Sequence, residues 1–385
     1  MSLPRLPEPI ALPFSTAQTI LACGAHSKSS IGLVKNGQAY LSVPLGNLED
    51  VEAWQAFQET IAAFETSLNA APTLLARDLH PEYLSTKYAQ ARHQAEGVAL
   101  LGAQHHHAHI AACLAEHGVT QPVIGVAFDG LGYGTDGQFW GGEFLIVENA
   151  AFRRAAHLEY VPMPGGTAAI AAPWRMAFAY LDRICGDSLS EFNLPFLAQI
   201  DARQQTMVTT MLRQRFHAPL TSSAGRLFDA VSALLGVCLN ATYEGEAAIN
   251  LQRAAEQFPP NDAAGRQPFP FHIAEFPELP HYQIQPAPML LAMIDEMRRH
   301  APIPLLSARF HATVAAMILV VCQRLRRRFG LSVAVFGGGV FQNRLLREQA
   351  AQLLQDDGFT VLLPRRVPFH DGSVAFGQAA IAAFR

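Results

Sequence analysis

The sequence predicts an α/β protein built as two similar lobes, on three observations. Short strand-like runs joined by turns open the chain, helical and strand-like segments then alternate, and the same order starts again near residue 122. With 385 residues, 50% of them hydrophobic, there is enough apolar material for two or three core-forming units.

Residues 1–17, which include the Pro-rich MSLPRLPEPIALPF, are read as an N-terminal extension without a signal peptide, because no long apolar run occurs in them. Lobe I is assigned to 18–121. TILACG, SIGLVKNG and QAYLSVPLG are expected as three antiparallel strands, with Asn36-Gly37 as a hairpin turn. A helix near 51–68, the strand TLLARD, a helix from about 84, the strand GVALLG and a histidine-headed helix complete this lobe.

Lobe II, 122–385, opens with PVIGVAFDGLGYGTDGQFWGGEFLIVE, which reads as strand, Gly-rich turn and strand, with a third strand at AAHLEYV. SVAVFGGG with a helix over 342–354, and FTVLLP with a helix over 372–384, close it. Between them, at about 186–308, helical segments broken by Pro-rich loops such as QFPPNDAAGRQPFPF are read as a mainly helical insertion. Two facing lobes imply a cleft between them.

A net charge of -4 gives no global electrostatic reason to expect nucleic acid or a membrane as partner. The basic run RLRRRFG, 324–330, closes an apolar helix, where cations favour the negative end of the helix dipole. The apolar run 312–322 is too short to span a bilayer. The five cysteines are scattered without a C-x-x-C pair, which argues against a disulfide scaffold or thiolate zinc finger and for a reducing, cytoplasmic location. Cys113 reads as a small buried residue.

The stretch AQHHHAHIAACLAEHG puts His105 and His109 one helical turn apart on one face, the spacing needed to share a metal ion. His106 and His107 point elsewhere, and a polar helix start with incidental histidines fits the same residues. Asp129 ends the apolar strand VIGVAF beside Gly130 and Gly132, as at many phosphate or metal sites, or simply forms a turn. Asp371 in PFHDGSVAFGQ is either the N-cap of the last helix or a cleft residue. Gly338 and Gly339, followed by Asn343, place a Gly-rich turn and helix start where a nucleotide can approach. In SSAGRLFDAVSALLG, Gly225 precedes Asp229, a ribose partner or a first-turn acid. The run matches neither the Rossmann nor the P-loop fingerprint, and no G-x-S-x-G elbow is present.

Taken in order, DLHPEYLSTKYA, QHHHAHIAAC, VIGVAFDGLGYGTDGQFWGGEF, MPGGTAAIAAPWRMA, GRLFDAVSALLG, TYEGEAAI, FGGGVFQNRLL and VPFHDGSVAFGQAAIA closely resemble the C-terminal half of the nickel-iron hydrogenase maturation carbamoyltransferases, the HypF family. The resemblance runs from about residue 18 to the end. It implies the two-lobed actin, sugar kinase and Hsp70 fold, and a divalent metal, iron or zinc, held by His105, His109, Asp129 and Asp371. It further implies transfer of a carbamoyl group from carbamoyl-adenylate, made with ATP, to the C-terminal cysteine thiol of a HypE-like partner. The nucleophile therefore comes from outside this chain, and the carbamoyl later becomes a cyanide ligand of the hydrogenase iron.

Three local departures stand out. FHDGS, PGGT and GEAAIN differ from the family's usual P-x-N-D-G-G, P-G-G-D and G-Q-A-A-I-E, at His370, Thr167, Glu246 and Asn250, while the four ligand positions match. The chain also lacks the family's acylphosphatase, zinc-finger and YrdC-like parts, so a separate adenylate-forming protein is an expected partner. The alternatives are a small-molecule O-carbamoyltransferase and a non-catalytic remnant that binds nucleotide or partner.

Overall fold

Short strands, Ile20–Ala22 and Gly32–Lys35 among them buried on both faces, build the first sheet. In the computed structural model, which describes residues 6–14, 16–186, 192 and 194–385, β1 (Ile10–Ala11), β2 (Ile20–Ala22), β3 (Gly32–Lys35) and β4 (Gln38–Leu41) pair antiparallel in the order β1-β4-β3-β2. Residues 1–5 and 15 of the N-terminal extension, and 187–191 and 193 of the insertion, lie outside the described residues. Asn36 and Gly37, at φ 54° and 73°, supply the left-handed pair that a two-residue hairpin turn requires. The extension is not merely a tail, because its β1 forms the sheet's edge.

After α1 (Val51–Ser67), β5 (Leu74–Asp78) joins β2 in parallel; after α2 (Leu84–Glu96), β6 (Ala99–Ala103) joins β5. Successive residues of β2 point to opposite faces. Leu21 and Cys23 pack with Phe57, Ile61 and Phe64 of α1, whereas Ile20 and Ala22 face Ala108 and Ala112 of α3 (His105–His117).

The second sheet repeats this plan. β7 (Val123–Tyr133), β8 (Phe139–Glu148) and β9 (Ala151–Leu158) form an antiparallel meander. Then come β10 (Val161–Pro162), α4 (Ala168–Ala171), α5 (Trp174–Cys185), α6 (Ala202–Gln214), β11 (Leu220–Thr221), α7 (Ala224–Leu234) and α8 (Glu246–Glu256). β12 (His272–Glu275), β13 (Tyr282–Gln285), α9 (Ala287–Arg298) and α10 (Ile303–Phe329) follow. β14 (Val333–Gly337) returns beside β7 and, after α11 (Arg344–Asp356), β15 (Thr360–Leu362) pairs with β14, both in parallel. Three antiparallel strands followed by two parallel ones thus occur in both sheets, the two-lobed plan of the actin, sugar kinase and Hsp70 fold.

The structure changes three details of the sequence reading. The stretch 186–308 carries short strands among its helices: the β12-β13 hairpin extends the second sheet through β9, and β11 bridges β10 and β8. The apolar run 312–322 is the middle of the 27-residue α10, long and apolar enough to cross a membrane, but 67% of its most apolar window is buried and it packs against α8 and α11. Gly330 caps it at φ 71° after Arg326, Arg327 and Arg328, as the dipole argument expects.

The third concerns α12 (Val374–Ala383), counted with lobe II in the sequence. Every residue of α12 is buried, and the helix packs against α3 and the first sheet. Gly377 permits the approach, since a Cβ there would overlap the Ala108 carbonyl of α3. A helix buried on every side needs partners all round, and the groove between α3 and the first sheet provides them. The crossing carries residues 370–373 into the cleft.

Candidate metal centre and adjoining cleft

Gln104 starts α3 by accepting the His107 N–H on its side chain, at 2.9 Å, so four histidines enter a buried helix start. The i, i+4 spacing brings His105 and His109 together, with ring centroids 5.0 Å apart. Their Nε2 atoms lie 3.3 and 3.2 Å from Asp129 Oδ2, and each lies 3.7 Å from Asp371 Oδ1. The four predicted ligands therefore converge, across 266 residues of chain.

Three of these atoms, His105 Nε2, His109 Nε2 and Asp129 Oδ2, are buried without a hydrogen-bond partner. Such atoms are costly unless something binds them. A tetrahedral ion with bonds of about 2.1 Å separates its ligands by about 3.4 Å, so the observed spacing and the mixed nitrogen and oxygen donors fit a transition metal.

What holds the donors in place was not legible in the sequence. Asp78, at the end of β5, accepts from His105 Nδ1 at 2.8 Å, and Ser373 Oγ lies 3.1 Å from His109 Nδ1. Asp129 is not at a strand end as read: β7 continues to Tyr133, and a register shift after Phe128 turns the aspartate into the cleft. Its Oδ1 accepts the N–H groups of Gly130 and Gly339, both at 2.8 Å, which leaves Oδ2 for the centre. Asp371 is not the N-cap of α12. It sits in the preceding turn, where His370 Nδ1 accepts from Gly372 N.

The electrostatics follow from this enclosure. Burial penalises a charged His105, but Asp78 first, and then Asp129 and Asp371, outweigh it and raise its pKa well above the usual value. His109 is raised in the same way by Asp129 and Asp371 against burial. Asp129 and Asp371 resist the upward push of burial because both imidazoles hold them below the ordinary range. Burial, joined by the charge of His105, outweighs Asp129 and Glu143 and lowers His106 to about 4, and burial lowers His107 to about 4 as well.

Two cavities meet at the centre. One, about 420 Å³, is lined by the predicted Gly130, Gly225, Asp229, Gly339 and Asn343 together with Asp129 and Asp371. The other, about 380 Å³, is lined by His26, His80, Tyr83 and Thr167 and shares Asp129, Gly130, Arg226, Glu244 and Asp371 with the first. Glu244 reaches across the lobes to Lys28, at 3.0 Å.

Two of the predicted glycines are tightly packed. Gly132 lines the second cavity and is close-packed: a Cβ there would come 2.5 Å from His106 and 2.9 Å from His105. Gly338, at φ 97°, turns the chain behind Phe128 so that Gly339 reaches Asp129. Asn343 caps α11 by accepting from Leu346 N at 3.0 Å. Gly225 lies within the first turn of α7, and its missing side chain lets Gly130 approach. Arg226 carries no motif signal of its own in the sequence. It is 4% exposed, its Nε donates to Asp229 Oδ2 at 2.7 Å, and it lines both cavities, a fixed cation beside the centre.

The residues at the sequence departures fall at the edges. His370 lines the first cavity, and Thr167 the second. Glu246 begins α8 and accepts from Thr242, whereas Asn250 bonds Arg253 on the surface.

Known proteins share both the sequence and this architecture. A family model described as "Carbamoyltransferase, Kae1-like Domain, second subdomain" matches residues 125–378, and another described as "HypF Kae1-like domain" matches residues 15–116. The carbamoyltransferase HypF2 of Cupriavidus necator is 36% identical over 95% of this chain and 47% of its own length. HypF of Synechocystis is 37% identical over 97% and 48%. The chain thus spans about half the length of these relatives. A HypF homolog of Cupriavidus necator, 34% identical, is covered over 91% of its length. A crystal structure of full-length HypF in a phosphate- and nucleotide-bound form superposes with a TM-score of 0.90 at 33% identity, covering 98% of this chain and 57% of that one. The model matches cover both lobes, and the chain belongs to the HypF carbamoyltransferase family.

Proposed function

We propose that this chain transfers a carbamoyl group from carbamoyl-adenylate to the C-terminal cysteine thiol of a HypE-like partner, as a metal-dependent step of hydrogenase maturation in the cytoplasm. The observation that carries this reading is the pair of cavities sharing Asp129, Gly130, Arg226 and Asp371. A group-transfer enzyme needs a donor and an acceptor to meet at one centre.

The first cavity suits the donor. Tyr243 and Ile249, 51% and 39% exposed, offer an apolar wall for a nucleobase, and Arg226 supplies positive charge for its phosphate. The phosphate- and nucleotide-bound state of the related HypF structure supports that assignment. Gly130, Gly225 and Gly339 keep the backbone close to the ligand, and Gly338 holds their turn.

His105, His109, Asp129 and Asp371 would hold iron or zinc, which when bound supplies Lewis-acid stabilisation of developing negative charge. Asp78 and Ser373 orient the two imidazoles, and burial keeps water from the donor atoms. The thiol belongs to the partner, because the chain's own Cys23, Cys113, Cys238 and Cys322 are buried and Cys185 is partly so. The carbamoyl-adenylate is supplied by an adenylate-forming unit docked over the cleft, since enclosure protects a labile intermediate.

The test is radiolabelled carbamoyl transfer. The chain, supplied with carbamoyl-adenylate and HypE, is expected to label the terminal cysteine and release AMP. Labelling of a small alcohol instead would make it an O-carbamoyltransferase, and nucleotide binding without any transfer would make it a binding protein. With ATP and carbamoyl phosphate in place of the adenylate, efficient turnover by the chain alone would overturn the docked supplier.

A further inference from the structure

The second cavity has an unusual wall. The ring of Tyr83 stacks with that of His80, centroids 4.2 Å apart and planes 7° apart, and with that of His26 at 5.2 Å and 17°. Each imidazole is pinned from behind. His80 Nδ1 accepts the Glu82 N–H at 3.2 Å, and His26 Nδ1 accepts the Leu84 N–H at 3.3 Å. A neutral imidazole that accepts at Nδ1 carries its proton on Nε2, so neither ring has a free acceptor nitrogen for an incoming group.

The Tyr83 hydroxyl differs. Among the described residues nothing hydrogen-bonds to it, although the side chain lines the cavity together with Asp129 and Asp371. Burial keeps the phenol protonated, with its pKa far above the usual value; His105 opposes this, and Asp78, Asp371 and Asp129 reinforce it. An aromatic side chain fixed by two stacked neighbours, with one unused donor on the wall of the cavity that Asp129 and Asp371 also line, is a preorganised electrostatic group.

We propose that the Tyr83 hydroxyl donates a hydrogen bond to the carbamoyl oxygen as the acceptor thiolate adds, an inference that rests on the carbamoyl-transfer reading above. The thiol loses its proton to bulk water before attack. The sulfur–carbon bond then forms, and the carbonyl π pair moves onto oxygen, where the Tyr83 O–H meets it. As that pair returns, the bond from the carbamoyl carbon to the phosphate oxygen breaks and AMP departs with its electrons. Tyr83 keeps its own proton throughout.

Tyr83→Phe retains the stacked ring and removes only the donor. In the metal-loaded full chain, supplied with carbamoyl-adenylate and HypE, this variant is expected to lose about 10²-fold in kcat, the usual effect of one oxyanion donor. Its KM for the acceptor, AMP affinity and metal content are expected to stay at wild-type values. Replacing Tyr83 by 3-fluorotyrosine, a stronger donor of nearly the same shape, is expected to raise kcat. A Tyr83→Phe enzyme with wild-type kcat, or a fluorinated enzyme no faster than the parent, overturns the inference. If Tyr83→Phe loses its metal or its fold, the fluorinated enzyme alone decides. A wild-type chain that transfers nothing overturns the functional reading and this inference with it, whereas an active chain indifferent to both changes overturns only the role of Tyr83.

Discussion

Asp78 accepts a hydrogen bond from His105 Nδ1 at 2.8 Å, and both side chains are fully buried. The contact fixes the ring so that Nε2 points at Asp129 and Asp371. Asp78→Asn keeps the shape but removes the charge, and outer partners of this kind typically govern 10- to 100-fold in metal affinity, so a loss of about that size is expected in a zinc or iron titration. Unchanged affinity would show that His105 needs no partner.

The ligand set has a direct check. A His105→Ala/His109→Ala protein is expected to carry no stoichiometric iron or zinc by elemental analysis while remaining folded by circular dichroism. Undiminished metal in that variant sinks the assignment.

Gly132 separates packing from nucleotide binding. A Cβ at this position intrudes on His106 and His105, so Gly132→Ala is expected to cost about 1–3 kcal/mol and to lower metal occupancy. AMP affinity, measured by calorimetry, is expected to hold, because Gly132 lies in the second cavity. A selective loss of AMP binding would return this glycine to the nucleotide site.

A buried network sets an acid limit on stability. Glu143 is fully buried; burial would raise its pKa, but Arg154, at 2.6 Å, holds it at about 2. Because the folded value lies below the unfolded one, the stabilisation is complete above the ordinary glutamate range and disappears as pH falls towards 2. The shift corresponds to about 3 kcal/mol. Denaturant melts from pH 6 to 2 are expected to steepen with acid in the wild type and to flatten in Glu143→Gln. Parallel curves would remove Glu143 from the account.

The chain's own thiols are expected to be bystanders. Burial pushes Cys23 up to about 12 and Cys113 well above the usual range, and it raises Cys185, Cys238 and Cys322 as well. Thiolates are therefore scarce at neutral pH. Iodoacetamide is expected to reach chiefly Cys185, with carbamoyl transfer intact. Transfer that fails in a folded cysteine-free variant would instead place the acceptor in this chain.

Local patterning by itself determined the order of strands and helices, the Asn36-Gly37 hairpin and the facing of His105 and His109, because turn chemistry and the 3.6-residue period act within a few positions. The motif resemblance added Asp129 and Asp371 as partners of those histidines. Only the tertiary structure decided how they meet. α12 is buried on every side and packs against α3, which brings Asp371 to a helix 266 residues earlier and supplies Ser373 behind His109. Asp78, Arg226 and Tyr83 carry no periodic signal, since what distinguishes them is a neighbour supplied by a distant strand, helix or loop. Gly132 and Gly338 look like phosphate-loop glycines in sequence, yet close packing against His106 and Phe128 accounts for them, a contact that no local spacing encodes.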